Sequence, residues 1–409
     1  MRIQDYTGFS PELRSALLAL DVKGGLPLIR GKWFFVDPYQ STLPVQDMPG
    51  QVVTNLESAY DLCVSGRGDG IVILSAGTGT ASQTTSYLSA TLAWAKYGIT
   101  VVGVAAPNSY FGRARISNVE RTTGAITTIS FTADHTISDS AGGFVTAGFA
   151  AGDVIYVDTT SNTNDGSYTI DSVTATTITT TSGSSHVSTE NASSAGSTTI
   201  KSYCAPLITI TGQNNAFYNL HFTNGGSIVQ ALGGVSVQAN RNYFNNCHFI
   251  GAANATAAAV ASTQFDLEVV ASECVFDNCI VGTNSTLYAA ANGHIKLGSS
   301  TTAIGQNFFN NCKVLSNSAT SGHGAIFITN AATLNGWIFF DNCIFVNWQS
   351  GAITALSTAI IGETPNNTGI IFHNCGMVGW SAWGANNDKW GTTNAVGAAG
   401  TGGILGTIA

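Results

Sequence analysis

The chain has 409 residues, enough for a large core or two domains, yet charged residues make up only 9% of it. Ordinary globular proteins carry roughly 25%, so Thr, Ser, Asn and Gly must cover this surface, or part of it is hidden against other subunits. A hydrophobic content of 44% excludes disorder, and a net charge of −8 without clustered Lys and Arg argues against a nucleic-acid groove.

In chain order, Ser10-Pro11-Glu12 starts a short helix: Ser caps, Pro suits the first turn and Glu favours the positive end. It is expected to end near Leu20. The opening stretch mixes charges throughout and predicts no signal peptide, and no apolar run reaches the roughly 18–20 residues of a membrane span. A strand is predicted at Lys32–Val36. Thr54-x-x-Glu57 reads as a capping box before a helix with Leu56, Ala59, Tyr60 and Cys63 on one face. Ile71–Leu74 and Ile99–Val104 read as strands.

From about Asn118 to Tyr203 the text turns Thr/Ser-rich, with alternating strands such as Asp153–Val157 and Ser167–Ile170 and a turn at Asn164-Asp165-Gly166. Beyond it a six-residue unit recurs. It is "FYNLHF" at Phe217–Phe222, "FNNCHF" at Phe244–Phe249 and "FDNCIV" at Phe276–Val281. It returns as "FNNCKV" at Phe309–Val314, "FDNCIF" at Phe340–Phe345 and "FHNCGM" at Phe372–Met377. Its fourth positions, Leu220, Cys247, Cys279, Cys312, Cys343 and Cys375, are 27, 32, 33, 31 and 32 residues apart, a repeat architecture.

The fourth and sixth residues share a strand face and are apolar in every copy, so they point inward. The Phe has the opposite parity, so the register must slip between it and the Cys. Asn tolerates a left-handed backbone, and a bend there puts Phe, Cys and the last residue all inside. Rungs stacked about 4.8 Å apart would align Asn219, Asn246, Asn278, Asn311, Asn342 and Asn374 as an amide ladder. Helical repeats of similar length want Ala, Leu, Glu and Lys at 3.6 spacing, not Gly, Asn, Thr and β-branched residues. Five of the eight cysteines sit at one inward position, so all eight are expected as reduced thiols of a protein made in a cytoplasm.

The fold expected is all-β: a right-handed parallel β-helix with short N-terminal helices and an inserted small antiparallel β-domain. Its parts are an N-terminal arm and first strand (1–50), a β-helix start with a capping helix (51–117), the insert (118–203), the repeat rungs (204–378) and a C-terminal cap or arm (379–409).

Gly68–Leu74 ("GDGIVIL"), Gly98–Val104 ("GITVVGV") and Pro206–Asn224 resemble the opening rungs of the pectate-lyase-like β-helix, in particular those of tailed-bacteriophage virion proteins. Phe149–Thr180 is similar to a small β-module inserted in phage structural proteins, although Ser75–Thr80 lacks the Pro-Gly-His-type turn frequent in the phage segments. The resemblance implies a location in the virion, with the major capsid protein or other virion proteins as partners.

β-Helices often cut polysaccharides, so carboxylate pairs bear on chemistry. Asp266 and Glu268 lie at i and i+2 on one strand face, about 7 Å apart, and Asp277 could approach from an adjacent rung. That separation lies between those of retaining and inverting glycosidases; a solvated edge is the competing reading. A lyase would want Asp clusters and an Arg base, and Arg241 has no such cluster near it in sequence. The seven His do not space as metal ligands; His221 and His248 share a repeat position and are expected to stack on the outer face. No cofactor motif occurs. Trp380, Trp383 and Trp390 would line a sugar groove or anchor a partner.

Charge-poor surface, unusual ends and no catalytic constellation lead to the expectation of a non-enzymatic capsid decoration or cement protein, self-associating as a trimer or else a dimer. The alternatives are a tail-spike or fibre that binds host polysaccharide, with or without cleaving it, and a bacterial adhesin or secreted carbohydrate-active enzyme. Neither nucleic acid nor membrane is expected as a partner.

Overall fold

The structure, a computed structural model, describes residues 27–37, 51–75, 85–88, 90–105, 113–132, 134–182, 187–260, 264–298, 303–330, 333–334, 336–348, 356–362, 370–384, 390–393, 395–398 and 403–406. The helix expected from Ser10 lies outside them.

Three long sheets run along one coil. Sheet A has eleven strands, sheet B ten and sheet C seven among the described residues. Each repeat crosses from A to B at its Asn: Asn307–Asn310, for example, belongs to A and Lys313–Ser316 to B, with Asn311 between them. Gly324–Ile328 then belongs to C. Pairing between rungs is parallel and in register, as in Phe309↔Phe340, Val314↔Phe345 and Ile295↔Ile326. The fold is a right-handed parallel β-helix, the hand that crossovers between parallel strands adopt.

The corner explains the repeat. Asn219, Asn246, Asn278, Asn311, Asn342 and Asn374 have φ of 59, 51, 54, 54, 52 and 50°. Turning the chain there reverses side-chain parity, so the Phe and Cys on either side both point inward. Main-chain bonds carry most of this column: Asn278 N–H donates to Asn310 O at 2.9 Å and Asn311 N–H to Asp341 O at 2.8 Å. The side-chain amides meet directly where Asn246 Nδ2 donates to Asn219 Oδ1 at 2.8 Å.

Inside, the Phe rings form a stack: Phe244 to Phe276 is 5.0 Å and Phe276 to Phe309 is 4.6 Å between centroids, with planes within 9°. Trp94 closes one end of this stack against Phe217, and Trp383 closes the other, 4.1 Å from Phe372. Trp380 and Trp383 are thus core residues, not surface anchors. All eight cysteines are free and buried. Each corner thiol bonds the rung before it, as when Cys312 Sγ donates to Phe276 O at 3.2 Å and Cys343 Sγ to Phe309 O at 3.2 Å.

At the start, helix Leu56–Leu62 buries Leu56, Ala59 and Tyr60 on the first rungs, and Tyr60 Oη accepts from Ala95 N–H and Lys96 N–H. Its cap is Asn55, whose side chain accepts from Ser58 N–H, one residue later than the expected Thr54. The chain leaves sheet B after Ala114–Asn118, makes a seven-stranded antiparallel sheet between Thr122 and Ser202, and rejoins the coil at Ile208–Ile210. That sheet has its own core around Phe131, Phe144, Ile155 and Ile200. At the far end, Trp390–Thr393 and Ala395–Ala398 add parallel strands to sheets A and B, and Gly403–Gly406 turns back antiparallel.

Candidate functional site

On strand Leu267–Val269 of sheet C, Leu267 and Val269 fill the core, so Asp266 and Glu268 face outward. One rung on, Ile295 and Leu297 point inward and His294 and Lys296 outward. The register Glu268↔Lys296 puts Asp266 beside His294, making a two-by-two block of opposite charge types on neighbouring rungs.

The two halves of the block differ in solvent access. Glu268 and Lys296 form an ion pair at 2.8 Å with side chains 15% and 20% exposed. Ser236 Oγ donates to Glu268 Oε2 at 2.6 Å, Gln238 Nε2 donates to Ser236 Oγ, and Lys296 Nζ lies over the Phe265 ring. An ammonium and a hydroxyl held on one carboxylate fix it as an oriented acceptor.

Asp266 and His294 are 0% exposed, with His294 Nδ1 donating to Asp266 Oδ2 at 2.5 Å. Asp266 Oδ1 accepts from Gly251 N–H and Tyr288 Oη. The line continues from His294 Nε2 to His323 Nε2 at 3.2 Å, and from there to Ser316 Oγ at 2.8 Å. The two Nε2 atoms need one proton between them. Burial, and next the neighbouring His294, hold His323 well below the usual histidine range.

What seals this half is a set of excursions between sheets B and C, where Ala252, Ala257, Ala258 and Tyr288 form a small apolar lid. Gly282, at φ 82°, is required beneath it: a Cβ there would lie 2.6 Å from His294 Nδ1 and 2.2 Å from Leu315 O.

Of the expected carboxylates, then, Asp266 and Glu268 share a face, but only Glu268 can meet a ligand. Asp277 is not brought to them: it lies on sheet A, accepting from Tyr243 Oη and Asn310 Nδ2 at 2.7 Å each. Sequence reasoning missed Lys296, Ser236, His294 and His323. His221 and His248 do stack, 4.5 Å apart. Among the described residues no group of three or more His, Cys, Asp or Glu is placed to hold a metal ion.

No known family matches the chain, and no curated protein matches it. Among solved structures it is similar to the pectin methylesterase PemA from Erwinia chrysanthemi, at 12% identity over 94% of this chain and 92% of that one, TM-score 0.44. It is similar to pectate lyase Pel9A at 12% identity over 84% and 62%, TM-score 0.43. The Pseudomonas phage phi297 tailspike follows at 11% identity over 80% and 61%, TM-score 0.19. Such distant likenesses transfer no residue role. The expected phage virion protein of decoration or cement type is corrected: the chain is similar to pectin-processing β-helices, a likeness of fold alone. The non-enzymatic expectation is corrected with it. It rested on the lack of a catalytic constellation, and the block around Glu268, Lys296, Asp266 and His294 supplies an acid–base arrangement that the sequence pattern had hidden.

Proposed function

We propose that this chain binds a polysaccharide along the outer face of sheet C and hydrolyses it, with Glu268 as the base that activates water. The observation carrying this is the Glu268–Lys296 pair: the solvent-reachable half of the charged block, held by Ser236 and lying in the outward column Thr209, Ser236, Glu268, Lys296, Phe327 of sheet C. Such a face suits an extended polymer, because successive rungs repeat the same outward columns along its axis. Phe327, half-buried and next to Lys296 in the outward column, offers apolar contact to a sugar ring beside the charged pair. Lys296 Nζ holds one Glu268 oxygen and Ser236 Oγ the other, so the carboxylate is fixed in orientation at the face. Asp266, closed off and bound to His294, does not touch the polymer; it fixes the strand edge from which Glu268 projects.

The test is release of reducing ends or of acyl groups from a panel of neutral and acidic polysaccharides, with binding measured in parallel. Glu268→Gln should lower turnover about 100-fold or more while binding persists. Turnover at the parent level in that variant, or a parent chain that binds none of the polymers, would sink the reading.

A further inference from the structure

A cationic cluster stands apart from this site, on the outer face of sheet B. Strand Ala114–Asn118 buries Ala114 and Ile116, which turns Arg113 and Arg115 outward. In register, Arg115 lies beside His221 and His221 beside His248, so the three occupy successive rungs of one column. The imidazoles stack with planes within 7°. Arg113 spans to the corner above, its Nε donating to Asn246 O and its Nη2 to Asn246 Oδ1, both at 2.7 Å. This leaves Nη1 uncommitted among the described residues, on a guanidinium already fixed in place.

Among the described residues the cluster has no counter-charge. Arg67, Arg121, Lys201, Arg241 and Lys296 all pair with carboxylates, whereas among the described residues neither Arg113 nor Arg115 does. Residues 76–84 ("AGTGTASQT") and 106–112 ("APNSYFG"), which flank these first rungs, hold no Asp or Glu. The carboxylate that acts on His248 is Asp266, already bound to His294. His221 Nε2 is buried without a hydrogen-bond partner, and His248 Nε2 donates to Gly282 O at 2.9 Å. In a chain of net charge −8, two unpaired guanidinium groups against a stacked imidazole pair run counter to the overall balance.

We propose that Arg113, Arg115 and the His221–His248 pair form a binding site for one oxyanion group, and that this group is a carboxylate or sulfate carried by an acidic polysaccharide. The guanidinium fork matches such a group bidentately, with Arg113 pre-oriented by the corner and exposed Arg115 closing over the ligand. Burial, then His248, Arg115 and Arg113, push His221 down to about 3, and burial lowers His248. An anion seated here offsets the guanidinium charge, so its binding raises both histidines and takes up protons. The oxyanion site stands on its own; the polysaccharide that carries the group rests on the proposed function.

The probes are sodium sulfate, an acidic oligosaccharide and an uncharged oligosaccharide, added to the full chain and followed by imidazole NMR signals and calorimetry. Sulfate and the acidic oligosaccharide should shift the His221 and His248 signals and bind more tightly as pH falls; the uncharged one should not. Arg115→Gln, at an exposed position, should fold as the parent and bind about tenfold more weakly. Unmoved histidine signals with sulfate, or full affinity in Arg115→Gln, overturn the site. Sulfate bound while the acidic oligosaccharide binds no better than the uncharged one overturns the carrier. Glu268→Gln should retain the anion response, so failure of hydrolysis and failure of this site are separable.

Discussion

At Asn311 the main chain holds φ 54°, and its N–H bonds Asp341 O on the next rung. A side chain other than Gly, Asn or Asp is strained there by roughly 1–2 kcal/mol. Asn311→Leu should therefore lower unfolding stability by about 1–3 kcal/mol, and Asn311→Gly, which has no Cβ to clash, should keep most of it. Equal denaturant midpoints for the Leu variant and the parent would show that the corner does not need a left-handed residue. This position was legible because the same backbone problem is solved six times with one residue type. The second buried ladder was not: Asn215 N–H donates to Asn242 Oδ1, and Cys274 N–H to Asn307 Oδ1. Its column runs Asn215, Asn242, Cys274, Asn307, and the Cys breaks it, so no single-letter column announces it. The thiols show a similar divide. Their inward position followed from parity, whereas their role as weak donors to Phe carbonyls a rung away depends on the exact turn of the corner.

Among whole strands, the block on sheet C was written in the text as "DLE" at Asp266–Glu268 over "HIK" at His294–Lys296. Read as two rungs, acid faces base twice while Leu and Ile face the core; read as one strand, it is only a pair of carboxylates. Pairing across rungs was needed, and the "FxNC" count places rungs by their corners without giving the register of sheet C. The burial of Asp266 was further out of reach, since the covering excursions, including Ala252, Ala257 and Ala258, are Ala-rich and carry no repeat pattern. The helix cap moved by one residue because Asn55 and Thr54 are both competent caps, and the helix begins at the buried Leu56, directly after Asn55. If cross-rung charge pairing matters to the strands, Lys296→Glu should destabilise the chain by roughly 1 kcal/mol or more by setting like charges side by side. Exchanging both, Glu268→Lys with Lys296→Glu, should recover most of the loss in a double-mutant cycle. A double variant no more stable than Lys296→Glu alone would remove the ion pair from the energetics of sheet C.

On the scale of the whole molecule, a charge-poor composition concentrates pH sensitivity in a few buried groups. His221, His248 and His323 are all held below the ordinary histidine value, first by burial. In the unfolded chain each titrates near its usual pKa of about 6.5. Below that pH the unfolded chain binds protons that the folded one refuses, so stability is full above about 6.5 and falls as pH drops toward the folded values. His221, at about 3, stays neutral in the fold through most of that window. Each such histidine adds a slope of about 1.4 kcal/mol per pH unit. Asp69 acts in a lower window. Burial raises it, but bonds from Arg67, Lys32 N–H and Val64 N–H outweigh this and hold it below the usual carboxylate range. Its contribution is present above roughly pH 4 and is lost only below that. Acid unfolding should thus begin near pH 6, led by histidines, before carboxylates protonate. Denaturant melts stepped from pH 7.5 to 4.5 will check this, and His323→Gln should lower the slope by about one proton's worth. Sulfate should flatten the share that belongs to His221 and His248 and leave that of His323. Stability unchanged between neutral pH and pH 5 would mean that these imidazoles become solvated in the fold as readily as in the unfolded chain.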